Sequence, residues 1–214
     1  MKKSFLIKIN IFIMSILLMV VLFTVPNYSY FLSYYPAKNI STRTVLVTGD
    51  SYAGYFATYE CLQDYNILIY ADAGKTTREN YDMMKEAINT FPDVVIISIG
   101  VNDHSKHISP LEFKYRMEDL VSECKGMNKK VILHTYMNYD TEAFSDAFGD
   151  AKKVFEISEY DNALKDVAKK YSNAFYIDMS DYNDEKYLMI DRIHYNKVFY
   201  DELYNRISTA LLII

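Results

Sequence analysis

The sequence lacks several features that would place it in a well-defined class of protein. It has no tryptophan and only two cysteines among its 214 residues. Acidic residues outnumber basic ones, with 28 Asp and Glu against 23 Lys and Arg, which gives a formal net charge of -5. No cluster of basic residues stands out, so nothing indicates a nucleic-acid partner. The chain also has no internal repeat and no low-complexity segment.

The two cysteines predict neither a disulfide bond nor a metal site. Cys61 falls near the end of the first predicted helix and Cys124 near the end of the third. In a doubly wound sheet these helices would cover opposite faces, farther apart than the roughly 4.4–6.8 Å between Cα atoms that a disulfide requires. We therefore expect two buried free thiols. No grouping of Cys and His has metal-ligand spacing, and we expect no metal and no cofactor.

The rest of the composition is typical of a globular domain. Half of the residues are hydrophobic and 24% are charged, which is ordinary for a protein with a sizeable core. A chain of this length suits one domain with an N-terminal appendage. Tyrosine is abundant, at 21 residues. Tyrosines can line a sugar-binding cleft, but they also fill strands and helix faces.

Residues 1–25 predict a signal or anchor segment rather than part of the fold. Lys2, Lys3 and Lys8 precede the apolar stretch Ile11–Val25, and a basic start followed by an apolar run is typical of an export signal. Because the lysines lie on the N-terminal side, the positive-inside rule places the later residues outside the cytoplasm. We therefore expect an extracytoplasmic domain.

The sequence leaves open whether this segment is removed. Counted from Ile9, the apolar run has about 17 residues, at the lower edge of the roughly 17–25 that span a bilayer. No small-residue cleavage site follows, and an aromatic stretch from Pro26 to Phe31 comes instead. Both features favour a helix that stays in the cell membrane as an anchor over a secreted product. Residues 26–43, with Pro26 and Pro36, are predicted to form a tether.

From residue 44 onward, apolar runs alternate with segments of helical spacing. Apolar residues recur every three or four positions in two of these segments, at Ile157, Tyr160, Leu164, Val167, Ala168 and Tyr171 and at Val198, Phe199, Leu203 and Ile207. Strands are predicted at residues 44–48, 66–71, 93–99, 130–136 and 174–178. This alternation implies parallel β-α-β units and a sheet covered on both faces. We therefore predict one α/β domain over residues 44–214, with a loop at 137–152.

A serine follows the first predicted strand. Ser51 opens the next helix, where Gly49 permits a tight turn. Unpaired N–H groups and a partial positive charge at a helix N-terminus can stabilise an oxyanion, which makes Ser51 a candidate nucleophile. Serine is also a preferred helix N-cap. Taken alone, the tripeptide Gly49-Asp50-Ser51 favours that simpler role.

Near the C-terminus, Asp191 and His194 form an Asp-x-x-His segment. A neutral imidazole can accept a serine proton when its other nitrogen is held and its developing charge is offset. A carboxylate three residues earlier can reach that ring across a single turn of chain. The segment could therefore supply a base and its orienting acid. By itself, a surface loop that carries an Asp and a His is the commoner explanation.

Two further residues that follow strands could supply oxyanion donors. An oxyanion needs donors aimed where negative charge develops, and an Asn side chain or a Gly backbone N–H can serve. Gly74 follows the second predicted strand and Asn102 the third. Each also has a structural explanation, as a turn residue for Gly74 and as an Asx-turn or helix cap for Asn102. What favours a site is that all these groups fall at strand ends along one edge of one sheet, where open α/β sheets bind ligands.

In these residues the chain resembles the SGNH (GDSL-like) hydrolase family, whose four blocks carry Ser, Gly, Asn and His. The matching segments are Gly49-Asp50-Ser51, Gly74, Gly100-Val101-Asn102-Asp103 and Asp191-Arg192-Ile193-His194. They follow the family's order within residues 44–212. The first block departs slightly, with Tyr52 in place of the usual apolar residue, and the second lacks a frequent second glycine.

The resemblance implies a fold and a catalytic mechanism. The family fold is a three-layer α/β/α sandwich of flavodoxin type, with a five-stranded parallel sheet in the order 2-1-3-4-5. Ser51 would be the nucleophile, His194 the general base and Asp191 its partner.

The resemblance also implies which groups surround the reacting atoms. The Ser51 N–H, the Gly74 N–H and the Asn102 side chain would form the oxyanion hole. Asp50 and Asp103 are expected to brace the site through hydrogen bonds rather than to transfer protons.

We therefore expect an extracytoplasmic serine esterase that removes O-acetyl or short O-acyl groups through an acyl-serine intermediate. Its substrate would be an acylated carbohydrate of the cell surface, an exported polysaccharide or a small ester. Two alternatives stay open. An O-acyltransferase would pass the acyl group to a cell-wall or capsule sugar, together with a membrane-bound O-acyltransferase partner. An anchored polysaccharide-binding module would keep the fold without turnover.

Overall fold

A β-sheet with helices on both faces forms the centre of the molecule. A computed structural model describes residues 30–35, 43–90, 92–136, 138–143 and 155–214. In these ranges strands β1 to β6 lie at Tyr30–Tyr35, Thr44–Gly49, Asn66–Asp72, Val94–Ser98, Lys130–His134 and Ala174–Ile177. Helices α1 to α6 lie at Ser51–Thr58, Tyr81–Ile88, Val101–Ser105, Pro110–Gly126, Ile157–Lys170 and Lys197–Leu211.

The parallel part of the sheet has the predicted topology. Neighbouring strands follow the order β3-β2-β4-β5-β6, which is 2-1-3-4-5 when the five predicted strands are counted along the chain. β2 lies between β3 and β4, and its Val47 pairs with Ile69 of β3 on one side and with Ile96 of β4 on the other. The predicted fold class and strand order are therefore confirmed.

A further strand corrects the prediction of a tether at residues 26–43. β1 pairs antiparallel with β3 at the edge of the sheet, with Tyr30 opposite Asp72 and Tyr35 opposite Ile67. The physical reason is that β1 is rich in Tyr and Phe, which favour strands, and it adds to the side of β3 that β2 does not use. Residues 26–29 and 36–42 of the predicted tether lie outside the described residues.

The membrane prediction concerns residues that the structure does not describe. The signal or anchor segment at residues 1–25 lies outside the described ranges. Within those ranges, no helix combines the length and the apolar character that crossing a membrane requires.

Apolar side chains pack on both faces of the sheet. On one face, α1 and α6 contribute Phe56 and Leu203. On the other face, α2, α4 and α5 contribute Met84, Leu120 and Leu164. Burying both faces in this way is what an α/β domain with a parallel sheet requires.

The two cysteines lie in these separate cores. Cys61 packs on the α1 side of the sheet and Cys124 on the α4 side. Both are free and buried, as the sequence predicts. Burial raises the pKa of each thiol to about 12, so neither is a reactive thiolate at neutral pH.

Two glycines let the chain turn where β2 and β4 end. Gly49 has a φ of 149° and Gly100 a φ of 150°, which side chains rarely adopt. A Cβ at Gly49 would lie 1.9 Å from the carbonyl oxygen of Ser98, and one at Gly100 would lie 2.1 Å from a ring carbon of Tyr136. Only glycine fits at either position. These turns start α1 and α3 at neighbouring strand ends.

Candidate active site

Three side chains form a hydrogen-bonded chain at the carboxyl edge of the sheet. Nε2 of His194 lies 2.9 Å from Oγ of Ser51, the first residue of α1. Nδ1 of the same ring lies 2.7 Å from Oδ2 of Asp191. When Nδ1–H donates to the carboxylate, Nε2 is the nitrogen left to accept a proton from the serine hydroxyl. The structure therefore brings together residues that lie 143 positions apart in the chain.

The Asp191–His194 segment is held by a local turn. Oδ1 of Asp191 accepts the N–H groups of Ile193 and His194, each at 3.0 Å, which leaves Oδ2 facing the imidazole. Partial burial alone would raise the pKa of Asp191, but the hydrogen bonds from His194 and these two N–H groups lower it below its usual value. Asp191 is therefore ionised at neutral pH. Arg192, in the middle of the turn, pairs with Asp140.

Asp50 joins the start of α1 to the loop that follows β4. Its Oδ1 accepts the N–H of Tyr52 at 2.9 Å. Its Oδ2 accepts the N–H of Gly100 at 3.2 Å and the side-chain amide of Asn102 at 3.1 Å. The side chain is fully buried, and this loss of solvent raises the pKa of Asp50 to about 6, although the three hydrogen bonds oppose the rise.

Two of the three predicted oxyanion donors, Asn102 and Gly74, differ in their surroundings. Asn102 is buried, and because a side-chain amide carries two hydrogens, it keeps one beyond its bond to Asp50. Gly74 is exposed in the loop after β3, with a φ of 75°, and its carbonyl accepts from Nζ of Lys106 at 2.8 Å. No hydrogen bond joins the Gly74 N–H to the other site residues within the described ranges.

Asp103 holds the loop that contains Gly74. Its Oδ2 accepts the N–H of Thr77 at 2.9 Å, and its Oδ1 accepts the Thr77 hydroxyl. Burial raises the pKa of Asp103 to about 7; the bonds from Thr77 oppose the rise and the nearby Asp50 adds to it. Asp50 and Asp103 together therefore connect the loops that follow β2, β3 and β4.

Two tyrosines near the site were missed by sequence reasoning. The buried hydroxyl of Tyr52 donates to the carbonyl of Ile193 at 3.0 Å, so α1 is tied directly to the segment that carries the imidazole. The ring of Tyr55 lies 4.9 Å from the His194 ring, centroid to centroid. The sequence offered one signal, since both tyrosines lie in the first turns of the helix that Ser51 opens.

The other buried histidines have partners away from Ser51. His134 contacts Oγ of Ser98 and the carbonyl of Thr135, each at 3.0 Å, and burial lowers its pKa to about 4. His104 contacts the hydroxyl of Tyr139. Among the residues that the structure describes, no group of three or more His, Cys, Asp or Glu side chains could hold a metal ion.

Comparisons with known proteins bear on the family and the fold. The sequence model of the GDSL-like Lipase/Acylhydrolase family matches residues 42–201. The fold is similar to that of a lipase/acylhydrolase from Enterococcus faecalis, at 23% identity and a TM-score of 0.63, over 79% of this chain and 95% of that one. No curated protein matches the chain.

Two other solved structures share the fold at low sequence identity. One is a GDSL-like lipase from Bacteroides thetaiotaomicron, with 17% identity and a TM-score of 0.63, over 78% of this chain and 87% of that one. Another is a catalytic mutant of an acetylxylan esterase from Geobacillus stearothermophilus, with 20% identity and a TM-score of 0.59, over 79% of this chain and 94% of that one. At such identities the likeness establishes the fold alone.

Proposed function

The chain belongs to the GDSL-like lipase/acylhydrolase family, and from that premise we propose that it is a serine esterase with Ser51 as its nucleophile. Family membership itself supports an ester-hydrolysing enzyme. The observation that carries the serine mechanism is the chain of hydrogen bonds from Asp191 through His194 to Ser51, at 2.7 and 2.9 Å.

In the proposed reaction, Oγ of Ser51 attacks the ester carbonyl carbon while its proton passes to Nε2 of His194. The bond to the alcohol oxygen then breaks, and the imidazolium gives this proton to the departing alcohol. Water next attacks the acyl-serine with His194 as base, the carboxylic acid leaves, and Ser51 regains a proton. Asp191 stays ionised throughout and offsets the charge on the ring.

The proposed oxyanion hole combines three N–H donors. α1 begins at Ser51 after its N-cap, Asp50, and the N–H groups of a first helical turn have no partner within the helix. Asn102 offers the amide hydrogen that Asp50 does not take. For Gly74 the support is its place in the neighbouring strand-end loop. Donors of this kind stabilise the charge that develops on the carbonyl oxygen.

For the substrate we propose an O-acetyl or short O-acyl group on a cell-surface or exported polysaccharide. The support is the export segment predicted at residues 1–25 and the shared fold with an acetylxylan esterase. The side chains of His194 and Asp191 are 17% and 41% exposed, so water can reach an acyl-serine. We therefore propose hydrolysis rather than transfer to a sugar.

Labelling with a fluorophosphonate probe tests the nucleophile. We expect the full chain to be labelled and the Ser51→Ala variant to be unlabelled. Ser172 is an exposed serine between α5 and β6, so the Ser172→Ala variant should be labelled like the wild type. A wild-type chain that takes up no probe would instead support a binding module.

We also propose that residues 1–25 stay attached as a membrane anchor with the domain outside the cytoplasm. Protease added to intact spheroplasts should then digest the domain, and the full-length chain should sediment with membranes. A domain that resists the protease until the cells are lysed would contradict this location.

A further inference from the structure

A groove of about 250 Å³ opens beside Ser51, between α1 and the end of β3. Ser51 lies in its lining together with Gly54, one turn further along α1. Ala71 and Ala73, from the end of β3 and the loop after it, form part of the opposite side. A substrate bound to Ser51 therefore has an apolar space directly next to its carbonyl carbon.

The chemistry of the proposed reaction decides which part of the ester lies in this groove. His194 must return a proton to the alcohol oxygen, so the alcohol leaves on the imidazole side of Ser51. In the described part of the chain, no residue of the segment that carries His194 lines the groove. Tyr55 lies between the two, because its ring contacts the imidazole and also lines the groove. The acyl chain is the part that points away from the base.

We propose that this groove is the acyl-binding subsite, that it holds a short unbranched acyl chain, and that Gly54 sets the length it accepts. This inference rests on the proposed esterase function. The volume falls below the roughly 300–1,000 Å³ of pockets that hold drug-sized ligands, so the groove suits a short acyl chain rather than a large acyl group.

Gly54 can be changed without disturbing the helix. A Cβ built at Gly54 would approach only the Cβ of Ala71, at 3.9 Å, which is an ordinary contact. Alanine also has a higher helix propensity than glycine, so Gly54→Ala should fold. A larger side chain would extend across the groove toward Ala71 and shorten the space that remains for the acyl chain.

The test measures kcat/KM for p-nitrophenyl acetate, butyrate and octanoate with the full chain. We expect the wild type to lose more than about tenfold between butyrate and octanoate, since one methylene is worth about 10–200-fold in an apolar pocket. The butyrate-to-acetate ratio should fall a few-fold in Gly54→Ala and at least about tenfold in Gly54→Leu. Thr58→Ala, which removes atoms from the groove lining, should raise the octanoate-to-acetate ratio.

Gly126→Leu is the matched control, since Gly126 is exposed at the end of α4 with open space around it. Its chain-length profile should equal that of the wild type. An unchanged profile in Gly54→Ala and Gly54→Leu, with activity still lost in Ser51→Ala, would overturn the acyl subsite and leave the esterase standing. If the Gly54 variants instead changed the selectivity among acetyl esters of different alcohols, the acyl subsite would also be overturned. Full activity in Ser51→Ala would refute the proposed function itself.

Discussion

The two halves of the proposed site are held in place in different ways. Ser51 and Asn102 lie at the starts of the helices that follow β2 and β4. The carboxylate of Asp50 between them is completely buried and accepts three hydrogen bonds. Asp191 and His194 lie on a segment outside the sheet, and the Asp191 side chain is 41% exposed. The nucleophile half therefore takes its geometry from the core, whereas the base half depends on a short turn.

In the described part of the chain, the bond between His194 and Ser51 and bonds from neighbouring tyrosines orient the base half against the nucleophile half. The Tyr52 hydroxyl reaches the carbonyl of Ile193, and within the segment the N–H of Met189 donates to the carbonyl of His194 at 2.7 Å. Substitutions in the base half should thus lower activity with little loss of stability. Substitutions in the buried half should lower both.

The largest effect should follow removal of either partner in proton transfer. We expect Ser51→Ala and His194→Ala each to lower kcat for p-nitrophenyl acetate by at least about 10⁴-fold, and the double variant to be no worse, because such residues act as a unit. His194→Ala should keep the thermal stability of the wild type. Losses that add in the double variant would contradict a shared step.

Asp191→Asn should lower kcat by about 10³–10⁴-fold, since an amide donor to Nδ1 would stabilise the wrong tautomer of His194. Asp184, an exposed residue that caps a neighbouring 3-10 turn, provides the control. Steady-state kinetics of Asp184→Asn should match the wild type. A kcat for Asp191→Asn within a few-fold of the wild type would remove Asp191 from the mechanism.

Asn102→Ala should lower kcat by about 10²–10³-fold with little change in KM, as expected for loss of an oxyanion donor. Unlike the base-half variants, it should also lower the free energy of unfolding in urea by about 1–3 kcal/mol, because buried Asp50 loses a hydrogen-bond donor. Full activity on aryl acetates would refute the oxyanion role of Asn102.

Tyr52→Phe removes one of the bonds that link the halves, and we expect kcat to fall several-fold with KM unchanged, since one such bond contributes about 0.5–1.5 kcal/mol. Tyr160→Phe is the control: its buried hydroxyl donates to Ile108 on the other face of the sheet. Tyr160→Phe should lower the free energy of unfolding about as much as Tyr52→Phe does, but its kcat should equal that of the wild type. Equal kcat in both variants would reduce Tyr52 to a structural residue.

A further buried carboxylate, Asp103, makes stability depend on pH. Asp103 has a pKa raised to about 7 in the folded chain, so it stays neutral at pH values where an unfolded aspartate is ionised. Its contribution to stability is therefore present below about pH 4 and is lost as the pH rises to about 7. The Asp103→Asn side chain does not ionise, so the stability of this variant relative to the wild type should increase between about pH 4 and pH 7. Urea unfolding at several pH values measures the difference, and a constant difference would contradict the buried ionisation.

The sequence predicts most of the fold because its signals are local. The apolar runs at 44–48 and 93–99 coincide with β2 and β4, and Ser51 and Asn102 fall at their ends as expected. The sequence does not reveal β1, because its pairing with β3 depends on residues that lie far along the chain.

The parts of the site that the sequence could not predict are contacts between distant residues. Nothing near Tyr52 indicates that its hydroxyl meets Ile193, 141 positions away. Similarly, the family resemblance predicts that Asp50 braces the site but does not name its partners. Its bonds to Gly100 and Asn102 exist only once β2 and β4 lie side by side.

The direction of β1 bears on how the enzyme would meet its substrate. Tyr30 pairs with Asp72, so the polypeptide enters the sheet at the edge that carries Ser51. Only residues 26–29 separate Tyr30 from the apolar stretch, and four extended residues reach at most roughly 14 Å. If residues 1–25 stay in the membrane as proposed, the edge of the sheet that carries Ser51 would face the bilayer. Acyl esters close to the lipid surface would then be within reach of Ser51.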